Sequence, residues 1–64
     1  MSTEKEVKDT LLDITMSCDK EEALDTLQYY ANPTRAPFDN DYMWEEKLLI
    51  ARVAKELIKS LKEG

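Results

Sequence analysis

The side chains able to do chemistry in this chain are few, and their spacing argues against a reaction centre. None of the 64 residues is histidine, so neither a Ser-His or Cys-His nucleophile pair nor an imidazole proton shuttle can be assembled. Ser17 and Ser60 have no visible base arranged to activate them. Cys18 has only Lys20 as a local cation, which is a weak setting for a thiolate, and its spacing predicts a buried structural cysteine. Asp39-Asn40-Asp41 crowds oxygen donors as a calcium loop does. Counted from Asp39, however, an EF-hand would place its glycine at Trp44 and its bidentate glutamate at Ile50. All three residues are competent helix caps, and capping is the reading adopted for them. Glu21, Glu22 and Asp25 with Tyr29 form an acidic patch, but neighbours on a helix point apart, so a solvated face is expected there and no metal site. The one glycine, at position 64, excludes a glycine-rich phosphate loop. No catalytic activity, cofactor or metal is expected.

Binding remains. Arg52, Lys55, Lys59 and Lys62 share one helix side and could meet phosphates, yet Glu45, Glu56 and Glu63 project close by and the formal net charge is −5. Nucleic acid is therefore an unfavourable partner. The charge is uneven: residues 1–32 hold three lysines against eight carboxylates, whereas residues 33–64 hold six basic and six acidic side chains.

The elements that must carry these groups are helices. Two prolines, at 33 and 37, sit close together, and strand or hairpin signals are nearly absent, so the chain reads as all-α: two short helices packed on one long one. Thr3 with Glu6 makes a capping box and predicts a first helix over about residues 4–17, with Val7, Leu11, Ile14 and Cys18 as its core stripe. Asp19 with Glu22 repeats the device and predicts a second helix over about 20–31, with one long bent helix as the alternative. Its inward face is Ala23, Leu24, Leu27, Tyr30 and Ala31. Asn32 precedes a proline and is pushed out of the helical region. Residues 32–40 read as a connector pinned by its prolines, with Phe38 requiring apolar cover. A third helix over about 41–62 follows, with Met43, Ile50, Val53, Ala54, Leu57 and Leu61 inward.

Several large apolar groups remain once each helix has been given a core stripe. Leu12 and Met16 lie four apart on the back of the first helix, and Trp44 and Leu48 lie four apart on the third, flanking Arg52. Tryptophan, methionine and arginine are enriched in interface cores, so Trp44, Leu48 and Arg52 on one surface and Leu12 and Met16 on another are the candidate partner-binding residues. The third helix also outreaches either short one, which predicts that Leu57, Ile58 and Leu61 stay open to a second chain unless both short helices lie along it in sequence.

Size supports the same expectation. An unfolded chain of this mass exposes about 10,700 Å² and a compact monomer about 4,200 Å². With about 60% of the difference apolar, burial contributes about 100 kcal/mol at ~25 cal/mol/Å², against about 96 kcal/mol of ordering entropy. Domains so balanced lean on a disulfide, a metal or a partner, and one cysteine without histidine leaves the partner.

The polar start Met1-Ser2-Thr3-Glu4-Lys5-Glu6 is no signal peptide, and Leu48 to Ala51, the longest apolar run, cannot span a bilayer. A cytoplasmic, non-membrane setting fits the single thiol. The expected function is a non-catalytic protein-protein interaction module, acting as a homo-oligomer or as a regulatory or inhibitory accessory protein of the kind found in bacteria and phages. The alternative is a binder of a small anionic, nucleotide-like ligand, with Tyr29, Arg35 and Trp44 forming a pocket at a subunit interface.

Overall fold

The computed structural model describes residues 3–63; Met1, Ser2 and Gly64, part of the polar start and the one glycine noted above, lie outside the described residues. The described residues are all-α. Helix α1 is Glu4–Met16, α2 is Lys20–Ala31 and α3 is Asp41–Glu63, with 13, 12 and 23 residues. Each start has its expected cap. The Glu6 backbone N–H donates to Thr3 Oγ1 at 3.2 Å, and the Glu22 N–H donates to Asp19 Oδ1 at 2.9 Å. Extended backbone at Asp19 (φ −72°, ψ 172°) separates α1 from α2, so the single bent helix does not form. Replacing Asp19 with alanine leaves a free N–H at this start and is expected to cost about 1 kcal/mol in urea denaturation; an unchanged midpoint would mean that the carboxylate does not cap in solution.

Helix α3 is the spine. Arg52 on α3 reaches Glu4 at the start of α1 (3.6 Å), and Thr15 and Cys18 share a hollow with Ser60 and Leu61, so α1 runs parallel to the later part of α3. Ala23 borders that same hollow, while Tyr29, Tyr30 and Pro33 share a groove with Lys47 and Ile50, so α2 runs antiparallel to α3. The buried core is Val7 and Leu11 from α1, Leu27 and Ala31 from α2, and Val53, Ala54 and Leu57 from α3. Ala23, Ala31, Ala51 and Ala54 are all buried, and their small side chains let the backbones approach closely.

Four expectations need correction. Ile14 is exposed and Cys18 only half-buried, because the looser packing of α1 on α3 buries Val7 and Leu11 and leaves the end of the stripe at the edge. Met43 is 39% exposed, since it lies on the core side of α3 but beyond the reach of α1 and α2. Leu57 is buried, and Ile58 and Leu61 pack against the core, so the later end of α3 is not open. Both short helices lie side by side on that end, and the overhang is at the start of α3, where Tyr42 and Met43 are exposed. Phe38 is 79% exposed. It sits at the tip of a turn in which the Asp39 N–H donates to the Ala36 carbonyl at 3.0 Å, with Pro37 in the position the turn favours.

The overhang gives extents of 35 × 21 × 19 Å and a radius of gyration of 12.0 Å, against about 10.7 Å for a compact chain of this length. Accessible surface is 4795 Å², about 600 Å² above a compact monomer of this mass.

Candidate functional site

The connector from Asn32 to Asn40 sets the start of α3 through its charged groups. Asn40 caps α3: its Oδ1 accepts from the Met43 N–H at 2.8 Å, and its carbonyl accepts from the Trp44 N–H at 3.0 Å. Asp39 does not cap. Its side chain is 1% exposed, and its Oδ2 accepts from the Ala36 N–H at 2.9 Å and from the Lys47 ammonium at 2.5 Å. Lys47 also donates to the Thr34 carbonyl at 3.0 Å. One ammonium thus ties both ends of the connector to the second turn of α3. The hydrogen bond from Lys47 is the main reason the Asp39 carboxyl is held below its ordinary 3.8, with the Ala36 N–H adding to it. The other oxygen, Oδ1, is buried and has no hydrogen-bond partner among the described residues.

On the outer side of this connector, Arg35 pairs with Asp41 at 2.9 Å, and its guanidinium carbon lies 5.8 Å from the Trp44 ring centroid. Trp44 is half-buried. Tyr29 stands elsewhere, edge-on to Tyr30 with centroids 5.5 Å apart. It lines a groove of about 370 Å³ with Tyr30, Pro33, Lys47 and Ile50. The structure therefore brings Arg35 and Trp44 together, and Tyr29 lines a groove that neither of them enters. A neighbouring groove of about 330 Å³ lies between α1 and the other two helices; Tyr30 and Ile50 border both.

The surplus apolar residues fall into two surface hollows. Leu12 and Met16 share one with Thr10 and the carboxylates Asp9 and Asp13. Leu48 and Arg52 share the other with Glu45 and Leu49. Trp44 lies one turn before Leu48, under Arg35. The basic side chains Arg52, Lys55, Lys59 and Lys62 are exposed along α3, and Glu21, Glu22 and Asp25 are exposed on α2.

The pairing of Asp39 with Lys47 was not read from the sequence. Its signal was the Ala36-Pro37-Phe38-Asp39 turn, which returns the Asp39 carboxylate to the Ala36 N–H; a carboxylate so turned inward needs a cation, and Lys47 lies two turns into α3. Cys18 Sγ lies 3.5 Å from the Ile14 carbonyl, as a weak donor in a helix end. Among the described residues no group of three or more His, Cys, Asp or Glu side chains is placed to hold a metal ion. No helix among them is long and apolar enough to cross a membrane. No protein-family model, curated protein or solved structure matches the chain.

Proposed function

We propose that the chain is a non-catalytic protein-binding module of the cytoplasm, acting as an oligomer or as an accessory subunit that regulates or inhibits its partner. One observation carries this reading: Leu12, Met16 and Leu48 stay exposed while the core closes without them, and each sits in a hollow with charged neighbours. Met16 is 82% exposed and Leu48 45%. Apolar anchors rimmed by charge are the usual make-up of a protein interface.

The anionic-ligand reading has the 370 Å³ groove with Tyr29 and Lys47 in its favour. Against it, Asp39 already neutralises Lys47 and Asp41 already pairs with Arg35, so both cations near the connector are engaged. An arriving anion would have to displace a carboxylate first.

Sedimentation at two concentrations tests association, and the double substitution Trp44→Ala with Leu48→Ala tests the surface. The expected result is association weakened about tenfold or more, with helicity little changed. Collapse of helicity would assign both residues to the core. A large thermal stabilisation by one nucleotide of a panel would favour the ligand reading instead.

A further inference from the structure

We propose that the two surplus hollows are halves of one interface, and that the partner is a second copy of this chain: the Leu12–Met16 face of α1 docks on the Leu48–Lys59 face of α3 of its neighbour. The inference rests on the protein-binding reading and names its occupant. On α1, Leu12 and Met16 form an apolar pair four residues apart, flanked within the same hollow by Asp9 and Asp13. Lys5 and Lys8 lie toward the helix start, outside that hollow. On α3, Leu48, Arg52, Lys55 and Lys59 follow at intervals of four, three and four, which keeps them on one stripe of a helix. Glu45 lines the Leu48 hollow, and Glu56 and Glu63 project close to the same side of α3.

Each face is therefore an apolar anchor beside charge, with carboxylates alone in the α1 hollow and cations in slight excess along the α3 stripe. Pairing like with like would set Asp9 and Asp13 against their own copies, or the basic stripe against itself, and like charges facing each other across an interface disfavour it. Pairing α1 with α3 sets carboxylates against cations and leucine against leucine and methionine. Asp9, Asp13, Lys55 and Lys59 take no part in the ion pairs described above.

The test is charge-swap complementation followed by sedimentation. In one variant Asp9→Lys and Asp13→Lys make the α1 face basic; in the other Lys55→Glu and Lys59→Glu make the α3 face acidic. All four positions are exposed, so circular dichroism should show both variants folded. Each variant alone is expected to associate more than about tenfold more weakly than the wild type. Mixed in equal amounts they should associate again, because every α1–α3 pairing between unlike chains is then complementary. Association of either variant alone at wild-type strength overturns the docking while leaving the protein-binding reading in place, as does failure of the mixture to associate. A wild type that stays monomeric at high concentration overturns the docking and the oligomeric reading together.

Discussion

Leu27→Ala is expected to leave the chain largely unfolded at room temperature. Leu27 is 0% exposed and is the α2 member of a core that also holds Val7, Leu11, Val53, Ala54 and Leu57. Truncating a leucine in such a site removes its transfer free energy and leaves a cavity, together about 2–5 kcal/mol. Domains below about 70 residues rarely have more than about 3–5 kcal/mol to lose. The substitution therefore matches the whole stability. Circular dichroism against urea checks it: the variant should lack a folded baseline, while Leu48→Ala, on the surface, should move stability by less than about 0.5 kcal/mol in the monomer. A Leu27→Ala variant that keeps a wild-type midpoint would contradict the core described above.

Lys47→Met is expected to weaken the fold at neutral pH and to do less harm in acid. In the wild type the Asp39 carboxyl is held below its ordinary 3.8, chiefly by Lys47. A lowered folded pKa contributes stability that is present above the unfolded value and is lost as pH falls through the folded one. Without Lys47 the buried carboxylate keeps only the Ala36 N–H, and desolvation then favours its protonated form. The variant pays for an uncompensated charge at neutral pH and sheds that cost as the carboxyl takes up a proton. The difference in urea midpoint between wild type and variant should therefore be wide near neutral pH and narrow toward about pH 4. Adding Asp39→Asn to Lys47→Met should recover much of the loss at neutral pH, since the stranded charge is gone. A gap of equal width at both pH values would show that the two side chains are not coupled.

The helix boundaries were legible within a residue because they are local. Thr3 with Glu6 and Asp19 with Glu22 satisfy backbone N–H groups within a single turn, and Asn32 before Pro33 ends α2 through a steric rule between neighbours. Core membership was legible in part. Leu27, Val53, Ala54 and Leu57 stand within their stripes and are buried; Ala31, Ile14, Cys18 and Met43 stand near stripe ends, where burial depends on how far a neighbouring helix extends, and of these only Ala31 is buried. Helical periodicity says which side of a helix faces inward, not where along its length the partner stops.

The candidate surface divides the same way. The pairing of Leu12 with Met16 follows from a spacing of four residues on one helix, and the structure keeps that pair in one hollow; of Trp44, Leu48 and Arg52, only Leu48 and Arg52 share a hollow, and Trp44 lies against Arg35 instead. The meeting of Arg35 with Trp44 and of Asp39 with Lys47 depends on the path of the connector, as does the separation of Tyr29 from Arg35. Residue types and periodicity alone determined that this chain makes three helices and where they start, because those are properties of one or two helical turns. The tertiary structure alone decided that α1 and α2 both lie on the later part of α3, leaving its start as the overhang, and that Asp39 turns inward to Lys47. Those outcomes depend on the path of the connector and on packing between segments distant in sequence, which no short window of residues contains.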